Sequence, residues 1–494
     1  MFDNPLAMRQ CVAGVFSELE KLMLNCVRAR TVAIHGVLVG VALLVVMNVT
    51  AQRASAATKP NIILVITDDQ RFDALGCMGN SVLKTPHIDG LARDGLVFTN
   101  MFCTTSICAT SRASFLTGQY AMRHGIRGFR TPLTKSQWRD AFPVLLRNSG
   151  YRTAMVGKWG LGGPLPRERY DVFRGFSGQG RYFPKPDGQG EHLTHRLGQQ
   201  VIDFLQSCDG KQPFLLQYYT KAAHCQDGDP WPFQPDHRYD DLFARTTIPQ
   251  PATATPAHFA RLPEFLQKSE ARRRWRIRFA NPSMFQKSVK DYYRLVTGVD
   301  DVVGRIVSTL KRKGLYRNTV IIFTSDNGFY LGEHGLAGKW FMHEESIRLP
   351  LVICDPRLSK SRRGQRVGRQ ALNIDIAPTI LDLAGLPAPA SIQGRSLVPL
   401  MVGERTEWRS EFFYEHPFRH ARIPMTEGVR GTRWKYVRYT SLDPVFEELY
   451  DLHEDPHEER NLAFDPAHAK RLAEFRNRWK QWRRRAMSDD LALE

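Results

Sequence analysis

The chain is short of acid. Its 494 residues hold 50 aspartates and glutamates against 69 lysines and arginines, a formal net charge of +19. A surplus of that size points to an anionic partner: nucleic acid, an anionic polysaccharide or an acidic substrate. Zinc-finger spacing, single-strand-binding aromatic motifs and internal repeats are all missing, so no nucleic-acid partner is expected. The arginine runs Arg272-Arg273-Arg274-Trp275-Arg276-Ile277-Arg278 and Arg483-Arg484-Arg485 read equally as anion-binding or as solvated basic faces. Patterned cysteine is also missing. Of 8 cysteines, Cys11 and Cys26 fall in the leader, while Cys77, Cys103, Cys108, Cys208, Cys225 and Cys354 follow no regular spacing. That excludes a disulfide scaffold and leaves room for a bridge or two at most. Lastly, the apolar stretch Gly36 to Met47 is shorter than the roughly 20 residues a bilayer crossing needs, so no stable membrane span is expected.

What that stretch does resemble is an export signal. Arg28 and Arg30 precede it, and Ala54-Ser55-Ala56 follows with small residues suited to cleavage. Glu18 and Glu20 are wrong for a basic leader, which makes Met23 the better start. Residues 1–57 are therefore read as a leader, and the mature protein as periplasmic or extracellular.

After Lys59-Pro60 the chain alternates between strand and helix. The near-continuous apolar run Asn61–Thr67 is the mark of a strand covered on both faces. The pattern continues with helices at 86–93 and 142–148, a strand at 151–156, and a helix carrying Leu193, Leu197, Val201, Phe204 and Leu205. It closes with strands at 214–219 and 319–324 on either side of a long helix at 289–313. Alternation of this kind predicts an α/β fold, a large mostly parallel sheet sandwiched by helices. Residues 226–285 break the rhythm and are read as a pocket wall or lid. Beyond about residue 405 the texture changes to short alternating runs, Trp434–Tyr439 and Glu448–Leu452, and a closing helix at 467–485 with Leu472, Phe475, Trp479 and Trp482. The divisions are thus 58–404, a catalytic domain, and 405–494, a smaller C-terminal α+β subdomain with an antiparallel sheet.

In parallel α/β sheets ligands gather beyond the carboxyl ends of strands. Four such ends carry polar groups here: Asp68-Asp69 after the first strand, Lys158 after the strand at 151–156, Lys221 and His224 after 214–219, and Asp326-Asn327 after 319–324. Three aspartates and an asparagine make an oxygen-only donor set, suited to calcium or magnesium rather than zinc or copper. Cys108 stands at the mouth of a helix with Arg112 four residues on. A cation beside a nucleophile, with lysines and an arginine close by, suits a sulfate or phosphate ester.

These residues resemble the formylglycine-dependent (type I) sulfatases of the alkaline phosphatase superfamily. The likeness runs from Asn61–Gln70 through Cys108-x-x-x-Arg112, Leu116-Thr-Gly118, Gly157-Lys158-Trp159, Asp326-Asn327-Gly328, Leu331-Gly-Glu-His-Gly335 and Lys339 to Asn461-Leu462. It implies an alkaline phosphatase-like fold and a Cys108 oxidised to formylglycine by a formylglycine-generating enzyme. A hydroxyl of the aldehyde hydrate would attack sulfur, and the second hydroxyl would then expel sulfate. By position, Asp68, Asp69, Asp326, Asn327 and modified Cys108 would hold Ca2+, or Mg2+. Arg112 and Lys158 would steady the hydrate. Lys339 and His224 would hold the sulfate, with His224 protonating the leaving oxygen. His334 is read as either structural or part of the site.

Two departures from the family pattern stand out. Thr110 occupies the middle of the maturation signal, where proline or alanine is usual, and Gly160 follows Lys158-Trp159 where histidine is usual. A base for the elimination step must come from elsewhere, from water or from a histidine of the 181–195 stretch such as His192 or His195. The basic surface and the 226–285 insertion favour a sulfated carbohydrate substrate. The rival readings are a phosphodiester or phosphonate hydrolase and a lapsed sulfatase that only binds sulfated glycan.

Overall fold

The computed structural model describes residues 59–488, with Met23 alone before them. The export signal and the rest of the leader lie outside the described residues.

The central sheet has eight strands: β1 (Asn61–Thr67), β2 (Leu96–Phe98), β3 (Arg152–Lys158), β4 (Val172–Phe176), β5 (Phe214–Tyr219), β6 (Thr319–Ser325), β7 (Leu351–Cys354) and β8 (Gln365–Val367). They lie in the order β8-β2-β7-β6-β1-β5-β3-β4. Only β7 runs antiparallel to its neighbours β6 and β2. β1 is at the centre, parallel to β5 on one side and β6 on the other. Its sequence shows why. Ile62, Leu64 and Ile66 enter one hydrophobic core while Ile63 and Val65 enter the other, so every residue between Asn61 and Thr67 must be apolar. β6 divides the same way, Val320 and Ile322 to one face, Ile321 and Phe323 to the other.

Several elements are shifted from their sequence-based positions. β3 extends to Lys158, which makes that lysine the last residue of the strand rather than part of the following loop. The long helix begins at Pro282, seven residues before the apolar periodicity sets in. Asn281 caps it by accepting a hydrogen bond from the Met284 amide at 2.9 Å, and proline occupies its first turn. The 226–285 segment contains short helices, among them Glu270–Arg278. Among the described residues all six cysteines are free, and no helix is long and apolar enough to cross a membrane.

The smaller C-terminal α+β subdomain is built on a four-stranded antiparallel sheet of β9 (Glu411–His416), β10 (Thr426–Gly431), β11 (Trp434–Tyr439) and β12 (Phe446–Asp451). The helix Ala469–Met487 packs on it through Leu472 and Phe475. The indoles of Trp479 and Trp482 each donate a hydrogen bond to the sheet, to Glu427 at 2.8 Å and Glu411 at 2.7 Å. We propose that this subdomain begins near residue 405.

Candidate active site

Four parallel strands deliver their polar residues to one edge of the sheet. Thr67 of β1 pairs in register with Ser325 of β6, so the aspartates that follow each strand stand side by side. The next turn of chain places Cys108 as the first residue of the helix Cys108–Thr117, with Ile107 in extended conformation before it. Arg112 lies one helical turn on, on the same face.

Arg112 ties the edge together. Its guanidinium donates to Asp326 Oδ2 at 2.9 Å, to Asp68 Oδ2 at 3.0 Å and to the Lys158 carbonyl at 2.6 Å. The Lys158 ammonium donates to Asp68 and, at 2.6 Å, to Gln179 Oε1. Lys339 donates to Asp69 Oδ1, which also accepts from Asn327 Nδ2 at 2.7 Å. His224 Nδ1 contacts the Cys225 carbonyl at 2.6 Å, an arrangement that makes Nδ1 the donor and aims Nε2 at Asp69 Oδ2, 3.5 Å away. Apart from the partly exposed Gln179, all of these side chains are buried.

Two oxygens do not share in this network. Asp68 Oδ1 and Asn327 Oδ1 are buried without a hydrogen-bond partner. Such atoms are costly unless something fills the gap. A carboxylate oxygen of Asp68, one of Asp326 and the Cys108 sulfur all lie within 4.8 Å of one another, as do ligand atoms of Asp68, Asp69 and His224. The unsatisfied atoms are hard oxygen donors, so the residues present fit a divalent cation of the calcium or magnesium kind.

The electrostatics agree with that donor set. Burial alone would raise the Asp68 carboxyl, but Lys158, His224, Arg112 and Lys339 hold it far below the usual carboxylate range. Asp326 has less help. Burial and the neighbouring Asp68 charge push it up to about 6, against Arg112 and Lys339. Burial also raises the Cys108 thiol, although Lys158 and Lys339 oppose the shift. Burial, with the charges of the two lysines, pushes His224 down to about 4 against the pull of Asp69.

This constellation forms the floor of a cavity of 170 Å³, whose walls include Phe129, Gln179, Arg274, Trp340, Phe418 and His420. Arg274 comes from the arginine run in the 226–285 segment and is neutralised by Glu270 at 2.7 Å and by Asp227. That segment is therefore a wall of the pocket. Gln179, Phe129, Phe418 and His420 carry no signal in the sequence, whereas Trp340 directly follows Lys339 and could have been read with it.

The substitutes for the family histidine are not here. His192 caps the helix Leu193–Gln206, its Nδ1 accepting from the Thr194 amide at 3.3 Å and its Nε2 contacting the Gln234 carbonyl at 2.9 Å. Both His192 and His195 line a different cavity. His334 stacks on His343, ring centroids 4.8 Å apart, and is not among the residues lining the catalytic pocket. Gly160 has a local cause. Its φ is 81°, and a Cβ placed on it would come within 2.8 Å of Arg112 Cδ. A side chain at 160 would displace the arginine that binds both aspartates.

Comparison with known proteins gives a consistent picture. Residues 60–386 match the family described as Sulfatase, and residues 332–485 match N-sulphoglucosamine sulphohydrolase, C-terminal. The chain is 30% identical over 487 residues to N-acetylglucosamine-6-O-sulfatase of Bacteroides thetaiotaomicron, covering 84% of this chain and 85% of that protein. A solved structure of a protein in complex with its substrate D-glucosamine-2-N,6-O-disulfate superposes with a TM-score of 0.74 at 27% identity, covering 88% of this chain and 100% of that one. The fold is also that of the phosphonate monoester hydrolase of Agrobacterium radiobacter, with a TM-score of 0.71 at 24% identity over 88% of this chain and 97% of the other.

Proposed function

Because the chain belongs to the sulfatase family of sulfuric ester hydrolases, we propose that it removes sulfate from a sulfated carbohydrate by means of a formylglycine made from Cys108. The observation that carries this reading is the pair of buried, unpartnered oxygens on Asp68 and Asn327 beside a cysteine that starts a helix. The raised Cys108 thiol adds support. A protonated, desolvated thiol is a poor nucleophile, so residue 108 needs another chemical form to react.

The bound divalent cation supplies charge neutralisation and Lewis acidity, and the aldehyde hydrate supplies the hydroxyl nucleophile. The rest falls to the chain itself. Asp68, Asp69, Asp326 and Asn327, with residue 108, hold calcium or magnesium. Arg112 fixes the two outer carboxylates relative to each other, and with Lys158 it orients residue 108. Lys339 and His224 bind the sulfate oxygens. Nε2 of His224 faces the pocket and hands its proton to the departing alcohol oxygen; an anionic ester brought against this imidazole favours its protonated form. Phe129, Trp340 and Phe418 give the sugar an apolar wall.

The relative named above and the glucosamine disulfate complex support a sulfated amino sugar as the substrate class. Maturation requires a formylglycine-generating enzyme that accepts Thr110, and export through the leader at 1–57 places the protein in the periplasm or outside the cell. The test is direct. A hydrazide probe should label the tryptic peptide spanning residue 108, and turnover of an aryl sulfate should exceed that of an aryl phosphodiester. An unlabelled thiol in active protein, or a clear phosphodiester preference, overturns the proposal.

A further inference from the structure

A second cavity, of 430 Å³, lies against the catalytic pocket on the side of the C-terminal subdomain. Arg127, Arg419, Arg438 and Arg483 all line it. Two of these are already neutralised, Arg438 by Glu447 at 3.1 Å and Arg483 by Glu427 at 3.1 Å. Arg127 and Arg419 are exposed and make no hydrogen bond or ion pair to another described residue. At the back of the cavity His416 is fully buried, and neither of its ring nitrogens has a partner. The half-buried indole of Trp479 forms part of the wall.

The partition between the two cavities has a regular construction. Phe129 lines the catalytic pocket and Arg127 the second cavity. Phe418 and His420 line the first, Pro417 and Arg419 the second. Successive residues of the 417–420 segment thus face opposite sides, as extended backbone dictates, while the bend at Gly128 turns Phe129 away from the side that Arg127 lines. The Phe129 and Phe418 rings meet edge to face at 5.8 Å, and a Cβ on Gly128 would come within 2.9 Å of Phe418. The partition is therefore thin and closely packed.

We propose that the second cavity is a subsite for the neighbouring unit of a sulfated oligosaccharide, in which Arg127 and Arg419 grip a sulfate or carboxylate on the sugar next to the one being desulfated. Free guanidinium forks match both anions bidentately, while the Trp479 ring, covered by the Arg438 guanidinium at 4.8 Å, closes the wall beside them. The second subsite rests on the proposed sulfated-carbohydrate substrate and specifies which part of that substrate is held where.

The test uses Arg127→Ala, Arg419→Ala and the double variant in the full-length protein. Binding of a heparin tetrasaccharide, measured by calorimetry in a Cys108→Ala background, should weaken about ten-fold or more in the double variant. In the active protein, KM for the same tetrasaccharide should rise by a similar factor, while kcat/KM for 4-nitrophenyl sulfate, which ends at the first pocket, changes less than about two-fold. Unchanged melting temperatures would confirm that these exposed positions do not affect folding. Equal tetrasaccharide affinity in parent and double variant, or no binding by the parent, overturns the subsite. Failure of the parent to hydrolyse any sulfate ester would instead count against the proposed function, because the calorimetric comparison is read without turnover.

Discussion

Among the clusters of buried charge in the described residues, two are built to opposite ends. At the sheet edge, Asp68, Asp69 and Asp326 meet Arg112, Lys158 and Lys339, yet oxygens of Asp68 and Asn327 are left without partners. Where the C-terminal sheet meets the main body, the Lys435 ammonium is fully buried, donates to Glu458 at 2.7 Å and to the Met342 carbonyl at 2.9 Å, and pairs with the Glu344 carboxylate at 2.8 Å. Arg430 closes the second cluster with a 3.1 Å pair to Glu344. The Lys435 ammonium is thus enclosed by two carboxylates and a carbonyl, with no cation or ligand needed to balance it. Buried charge alone therefore does not identify a reactive site. What sets the sheet edge apart is that its unpartnered oxygens, on Asp68 and Asn327, converge with Asp326 and the Cys108 sulfur.

Substitutions can test this contrast. Cys108→Ala should have the largest effect, lowering kcat/KM for an aryl sulfate on the order of 10⁴-fold or more while leaving the melting temperature nearly unchanged. Lys435→Met should do the reverse. It takes away the only cation paired with Glu458 among the described residues, while Glu344 keeps Arg430, and should cost about 3–5 kcal/mol in denaturant unfolding, with specific activity of the folded fraction preserved. If Lys435→Met instead abolished activity in folded protein, the two clusters would not be separable as described. Asp326→Asn should reduce kcat about 10²-fold and weaken calcium binding in calorimetry, since it removes one carboxylate of the proposed cation site.

The last test concerns Glu415, at the edge of the second cavity. Burial pushes its carboxyl up to about 8, although the Met122 amide donates to it at 2.9 Å. In the unfolded chain the group ionises near about 4.3. The unfolded form thus loses its proton first, and the native state is penalised increasingly as pH climbs from about 4 to 8. Glu415→Gln removes that penalty. Its melting temperature should match the parent near pH 4, exceed it by a few degrees at pH 8, and the gap should stop growing above that. A constant difference across the range would mean that Glu415 is not held protonated.

Much of this was legible from the sequence because it rests on strands. The apolar runs of β1, β5 and β6 fix where those strands end, and the parallel topology brings Asp68, Lys158, His224 and Asp326 to one edge. The pocket walls were not legible. Phe129 and Phe418 lie on irregular segments distant in the chain, and their meeting is decided by tertiary packing that leaves no periodic trace. His192 and His195 illustrate the converse. They sit in a suitable stretch of sequence, but a helix start claims the first and both face another cavity. Gly160 was legible only as an oddity, and the Arg112 side chain pressed against it gives the reason.

Residue 108 has no exposed surface in the folded protein. Another enzyme's active centre cannot reach a side chain so enclosed, so any conversion of Cys108 must occur while the polypeptide is still open. Folding and maturation are then competitors in time. On the proposed formylglycine reading, a chain that closed too early would be sealed with its thiol intact, and the yield of working molecules would be decided before folding is complete.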